Sequence, residues 1–188
     1  DIAERLPQHG YDRTVIAAFA FLVIGVGLKM ALFPLHQWLP NAYTYAPSTV
    51  SAFLAATATK VSIYILLRFL FTVFGVQFSF DVLPTSVPLM ILAILAMFIP
   101  TIVACFQKNV KKILAYSSVA QIGYMVLGIS FVTVTGLTAG ILHLFNHALM
   151  KGALFLVLGA VFYRIGSCNI DRMAGLARTM PWTMAAFV

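Results

Sequence analysis

Charge is what this sequence has least of. Only five of its 188 residues are Asp or Glu and twelve are Lys or Arg, so 9% are charged against 62% hydrophobic. Soluble domains carry about 25% charged residues, which excludes that class and points to a membrane-embedded chain. Cysteine is scarce too. Cys105 and Cys168 stand without a CxxC or His-cluster partner, so a disulfide or metal role gives way to small apolar filler. No basic stripe is interleaved with exposed aromatics, and half of the six lysines lie inside apolar runs. The formal charge of +7 is therefore no nucleic-acid footprint, and no nucleic-acid partner is expected. The opening DIAERLPQHGYDRTV lacks signal-peptide order, because acids come first and no cleavage site follows. It begins without Met and reads as a loop between spans, while PWTMAAFV stops as an apolar segment begins. Both ends suggest a piece of a larger protein.

What the sequence has in quantity is bilayer-length apolar runs, each near the roughly 20 residues a helix needs. They cover about 13–35, 49–74, 86–106, 110–131 and 136–163, with 181–188 starting a sixth. Short connections join them: NAYTYAP, VQFSFDVLPTS, QKN and GSCNIDRMAGLARTM. The expected fold is all-α, a polytopic transmembrane bundle, and residues 1–188 form one partial transmembrane domain. If the spans alternate, Lys108, Lys111, Lys112, Arg164, Arg172 and Arg178 share one side. Arg5 and Arg13, offset by Asp1, Glu4 and Asp12, share the other with Asp81 and Arg68. The positive-inside rule puts loops 107–112 and 164–180 in the cytoplasm, so the first span runs inward.

That first span reads FLVIGVGLKMALFPLHQWLP. Pro34 removes a backbone donor and clashes with the preceding turn, so the helix is expected to break near Phe33. Broken helices at membrane depth build ion sites in transporters. Three lysines sit inside the runs. Lys29 follows Arg13 after a long uncharged stretch, Lys60 lies between ATAT and VSIY, and Lys151 is mid-way along the fifth run. A charge at the bilayer centre costs about 2.5–3.5 kcal/mol on insertion scales. Snorkelling suits Lys29 if the break is shallow, but not Lys60 or Lys151, which lie more than two turns from either end. No acid lies within the spans to pair with them, so a reversibly titrating lysine is one reading.

The fifth run contains HLFNHALMKGALF, with His143, His147 and Lys151 spaced i, i+4, i+8. On a helix they form one stripe about 12 Å long. Imidazole takes a proton on one nitrogen while releasing one from the other, so such a row can relay protons. Paired core histidines are the plainer alternative. Haem ligation is set aside because both rings share one face. A zinc site lacks a third ligand and would sit beside an ammonium. Ser117 and Ser118 have no nearby base, so covalent catalysis is not expected, and Gln121 and Tyr124 could support internal water. No cofactor site is visible.

These segments carry a resemblance. KMALFPLHQWLPNAYTYAPSTVSAFLAATATKVSIYILLRF, KNVKKILAYSSVAQIGYMVLGIS and HLFNHALMKGALFLVLGAV, covering about residues 20–165, resemble signatures of the antiporter-like subunits of respiratory complex I and of Mrp-type cation/proton antiporters. The resemblance implies a fourteen-helix proton-translocating subunit of two inverted five-helix repeats, of which the chain supplies the seventh to eleventh spans and the start of the twelfth. By motif, Lys29 matches the lysine beside the first break, Lys60 the connecting lysine, and His143, His147 and Lys151 the polar row. His36 matches the histidine of the HxWLP segment. The family's glutamate partner for Lys29 would lie upstream, and a titratable group on the twelfth helix downstream. Where many members read WLPDAH, this chain has Asn41 and Tyr43, which leans towards an Mrp D-like paralogue. Expected partners are other membrane subunits of a complex I-like or Mrp-type assembly, the lipid of a bacterial inner membrane, protons and, as a candidate, Na⁺. Any oxidoreductase activity would belong to the assembly. A Na⁺/H⁺ antiporter working without redox chemistry and a merely structural fragment are the alternatives.

Overall fold

The computed structural model describes residues 12–187. The expected loop with Asp1, Glu4 and Arg5 lies outside the described residues, as does Val188. Five helices are long and apolar enough to cross a membrane. They are α1 (Arg13–Met30), α3 (Ser48–Leu67, continued by wide turns to Val73), α4 (Ser86–Cys105), α5 (Val110–Ser130) and α6 (Val134–Ile165). Between the first two lies the short α2 (Trp38–Tyr45), and after α6 come a 3-10 turn, α7 (Leu176–Thr179) and α8 (Pro181–Ala185). No strand is present among the described residues, only an isolated bridge between Asn109 and Asn169.

The helix ends fall within a few residues of the apolar runs, with two differences. The segment expected as a simple turn, VQFSFDVLPTS, winds into a π-helix over Gln77–Val82. An aromatic cluster accounts for it. Phe74 and Phe78 stack at 5.6 Å, and Phe19 of α1 meets both edge-on at 4.9 and 5.6 Å. Gly75, at φ 79°, supplies the reversal between the two π turns that a side chain would resist.

The second difference is the break, which falls one turn earlier than Phe33. α1 ends at Met30, and Ala31 adopts the left-handed conformation with φ 62°. Its amide donates to Leu28 O and that of Leu32 to Gly27 O at 2.9 Å, the paired bonds of a Schellman cap. Proline at position 34 cannot donate, so the chain turns until Trp38 restarts the helix. Trp38 Nε1 then donates back to Leu28 O at 2.9 Å across the gap. Lys29 thereby occupies the last turn of a half-helix, where the free carbonyls favour a cation.

The spans alternate in direction. α6 packs against α3 and α5, α5 against α4 and α2, and α1 against α3. Small residues set the closest approaches, as expected where lipid supplies no hydrophobic drive between helices. A Cβ on Gly123 would meet Ala93 O at 2.8 Å. Gly128 and Gly136 face each other across the α5–α6 hairpin, and a Cβ on either would meet the other's carbonyl oxygen at 2.6 Å. Both obstacles are backbone and cannot give way. Gly128→Ala in the full-length protein is therefore expected to cost about 1–3 kcal/mol, read as a lowered melting temperature in detergent. Gly25→Ala, with nothing within 4 Å, should leave stability unchanged or slightly raised. Equal losses in both would overturn this account of the hairpin.

Two apolar clusters fill the bundle. One contains Phe19, Met30, Ile63, Leu66, Ile122 and Met125. The other contains Leu39, Tyr43, Ala55, Val119 and Phe155. Along α3 and α6, Lys60, His147 and Lys151 fall between the two. The expected basic end also forms: Val110 N donates to Cys168 O and Ile170 N to Lys108 O, which ties loop 106–109 to the segment after α6.

Candidate functional site

The level between the two clusters buries Lys60 and Lys151. α3 and α6 both lack acids, and among the described residues Asp12 precedes α1, Asp81 lies in the π-helical connection and Asp171 in the 3-10 turn. Lys60 is 5% exposed and Lys151 4%, so neither reaches an interface by snorkelling. Lys60 Nζ donates to Ala55 O within its own helix. Lys151 crosses to α5, where Nζ donates to Leu114 O at 2.8 Å and to the Ser117 hydroxyl. Ser117 Oγ donates in turn to Leu114 O at 3.1 Å, so hydroxyl, ammonium and carbonyl form a closed triangle.

His147 lies one turn from Lys151 and is 1% exposed. Neither of its ring nitrogens has a hydrogen-bond partner among the described residues. Buried polar atoms are nearly always satisfied, so this ring is poised to bond something other than the surrounding protein. It lies within electrostatic reach of Lys60, Lys151 and His143. His143 stacks on it with centroids 6.1 Å apart and planes 12° from parallel. His143 Nε2 faces Gln121 Oε1 at 2.6 Å. A carbonyl oxygen only accepts, so Nε2 carries the proton and Nδ1 is left as the acceptor. Tyr124 meets the same imidazole edge-on at 6.1 Å. An open hollow of about 560 Å³, lined by Gln121, Tyr124, Gly128, Gly140 and His143, borders the outer end of the row.

The row therefore has two walls. His143, His147 and Lys151 form the stripe on α6 that their spacing predicts. Ser117, Gln121 and Tyr124 form a facing stripe on α5 at i, i+4, i+7. Ser117, dismissed from the sequence as a nucleophile, is an anchor for Lys151. The helical period among otherwise apolar residues was the signal that could have singled out this second stripe.

The remaining two expected residues lie elsewhere. His36 is buried in the break, stacked on Phe33 at 5.4 Å and edge-on to Tyr116 at 6.5 Å, with Nδ1 unpartnered among the described residues. Lys29 is not buried by this chain. It is exposed beside Leu28 and Ile24, on an outward face of α1. Within this chain Lys29 therefore stands apart from the buried Lys60 and Lys151. Its helix packs chiefly on α3 and, through Phe19, on Phe74 and Phe78, while Phe21, Ile24 and Leu28 stay exposed. Outside the spans, burial pushes the Cys168 thiol up while nearby Lys111 pulls it down, consistent with inert packing.

A multi-pass helical membrane protein with one broken span and an interior row of amines and imidazoles is an antiporter-like fold. The chain belongs to the NADH:quinone oxidoreductase/Mrp antiporter transmembrane family, whose model matches residues 6–188. NADH-quinone oxidoreductase subunit N of Desulforudis audaxviator is 45% identical over 188 residues, 100% of this chain and 37% of the relative. A Na(+)/H(+) antiporter protein of Alkalihalophilus pseudofirmus, the D component of its antiporter, is 36% identical over 167 residues, 89% of this chain and 33% of the relative. Among solved structures, a chain of the Mrp complex from Dietzia sp. superposes with a TM-score of 0.87 at 32% identity, over 95% of this chain and 33% of that one. A chain of the membrane-bound sulfane sulfur reductase, an archaeal respiratory complex, gives 0.82 at 32%, over 92% and 35%. The chain thus spans about a third of the length of these relatives. Identity to the quinone oxidoreductase relative, 45%, exceeds the 36% to the Na(+)/H(+) antiporter relative.

Proposed function

We propose that this chain is the part of an antiporter-like subunit that carries protons through the membrane, along Lys60, His147, Lys151 and His143. The observation that carries the reading is the buried His147 ring, without a hydrogen-bond partner among the described residues and within reach of two lysines that no described carboxylate neutralises. Water bridging its nitrogens would let the imidazole accept a proton on one side and release it on the other. Stacked His143, holding its own proton against Gln121, presents Nδ1 as the next acceptor. Lys29 and His36 stand at the break, and we assign Lys29 an acidic partner in the part of the protein beyond this chain. A charge change there would act on Lys60 through space, favouring or opposing its proton.

The row suits H⁺ rather than Na⁺. Transporters hold Na⁺ with oxygens, whereas this row offers ammonium and imidazole groups. A Na⁺ exchanged by the parent protein would have its seat elsewhere. The basic end with Lys108, Lys112, Arg164, Arg172 and Arg178 is assigned to the cytoplasmic face of a bacterial inner membrane. Other membrane subunits of a complex I-like or Mrp-type assembly would cover the exposed face of α1.

The test is proton flux into vesicles containing the full-length protein in its assembly. His147→Phe keeps the ring and its packing but removes both nitrogens, and flux is expected to fall about 100-fold. Wild-type flux from a folded His147→Phe protein would sink the relay. Repeating the assay with a Na⁺ gradient, and separately with an electron donor, identifies the driving force. Flux that follows neither leaves a structural role.

A further inference from the structure

One polar contact holds the outer end of the row from α5. His143 Nε2 faces Gln121 Oε1 at 2.6 Å, and both side chains are half-buried. The two helices converge just beyond this level. A Cβ on Gly140 would meet Met125 O at 3.3 Å, and towards the hairpin Gly128 and Gly136 come closer still, at 2.6 Å. Gln121 therefore reaches His143 from a backbone that is itself held in place.

The other described neighbours of this imidazole are rings. His147 lies nearly parallel to it with centroids 6.1 Å apart, and Tyr124 stands edge-on at 6.1 Å. Ring contacts of this kind fix the plane of an imidazole but do not choose between its two neutral tautomers. The Gln121 amide does, because it meets one nitrogen and not the other.

The type of residue at 121 matters as much as its reach. An amide oxygen accepts a hydrogen bond and carries no charge. A carboxylate in its place would also accept, but it would favour the charged imidazolium and so hold back the proton that the row has to pass on. A neutral acceptor selects a tautomer and leaves the ring uncharged.

We infer that Gln121 is a positioning residue, whose amide oxygen keeps the proton of neutral His143 on Nε2 and so makes Nδ1 the nitrogen that takes up and gives back each transferred proton. A proton arriving at Nδ1 gives the imidazolium, and its loss from Nδ1 restores the starting ring. The Nε2 proton stays throughout, since an amide oxygen is too weak a base to remove it. His143 then needs no ring turn between one proton and the next. Without the amide, a proton could leave from Nε2 and strand the ring in the other tautomer. The inference rests on the proton-carrying reading of the row, although its first readout does not.

That readout is the solid-state NMR spectrum of the full-length protein in lipid nanodiscs, with isotope-labelled histidine, at a pH alkaline enough to leave the imidazoles neutral. A bare ring nitrogen resonates far from a protonated one, and carbon correlations tell Nδ1 from Nε2. The His143 signals are those missing from His143→Phe. The wild-type protein is expected to show His143 with Nε2 protonated and Nδ1 bare. Gln121→Met, of similar length but without the amide oxygen, should give a mixture of both tautomers. Its proton flux should fall roughly fivefold, the worth of one hydrogen bond. A protonated Nδ1, or an equal mixture, in the wild-type protein would overturn the inference before any variant is made. So would an unchanged tautomer in folded Gln121→Met, or undiminished flux from that variant while His147→Phe is inactive. Wild-type flux from His147→Phe would instead sink the underlying relay, and with it the transport role of Gln121, whatever the spectrum shows.

Discussion

Lys60→Met should stop proton translocation by the full-length protein, by about 100-fold or more, while leaving the bundle folded. The side chain is 5% exposed, and its Nζ donates to a carbonyl of its own helix rather than to a carboxylate. Burying an ion costs several kcal/mol unless a partner offsets it, and apolar replacements of similar volume are often neutral or stabilising by about 1–4 kcal/mol. The melting temperature should therefore hold or rise as transport disappears. That combination separates a group retained for transport from one retained for packing. Lys60→Arg refines the test. Guanidinium keeps the charge but does not release its proton, so Arg restores transport only if Lys60 is a fixed countercharge. The proposed relay requires Arg to be as inactive as Met. Dye-monitored acidification of vesicles decides it, and Lys60→Met pumping at the normal rate ends the proposal.

Lys151→Met is expected to lower flux by a similar factor, on the order of 100-fold, again without unfolding. The reason lies in what remains. Leu114 O keeps hydrogen bonds from the hydroxyls of Ser117 at 3.1 Å and Ser118 at 2.9 Å, so removing the ammonium orphans no buried acceptor. Ser117→Ala removes one of the two acceptors that hold Nζ, and about 1 kcal/mol lost from that bond corresponds to a roughly fivefold fall in flux. A graded order, with Met far worse than Ala, is the signature of an ammonium that must be both present and positioned. If Lys151→Met transports normally, the row ends at His147.

The spans were legible because a bilayer leaves little choice: some twenty apolar residues with few charges can do nothing else there. The polar stripe on α6 was legible for the same reason, since His143, His147 and Lys151 stand out against Leu and Phe at a helical spacing. The facing stripe on α5 was not. Gln121 and Tyr124 are legible as supports for internal water, but that reading does not join Ser117 to them at helical spacing, and the approach of α5 to α6 at Gly128 and Gly136 is what makes the three one wall. That Lys111 lies beneath Phe162 of another helix was likewise beyond the sequence, since only the packing of α6 on α5 brings the two together. The break was foreseen from Pro34 but placed a turn too late. Proline bars its own amide from the ladder, and the helix gives up at Ala31, where a left-handed residue can close it off.

The indole of Trp38 fastened to Leu28 O turns that interruption into a rigid elbow. Trp38→Phe keeps an aromatic ring but removes the only indole donor at the gap, so it is the substitution that would untie the second half-helix from the last turn of the first.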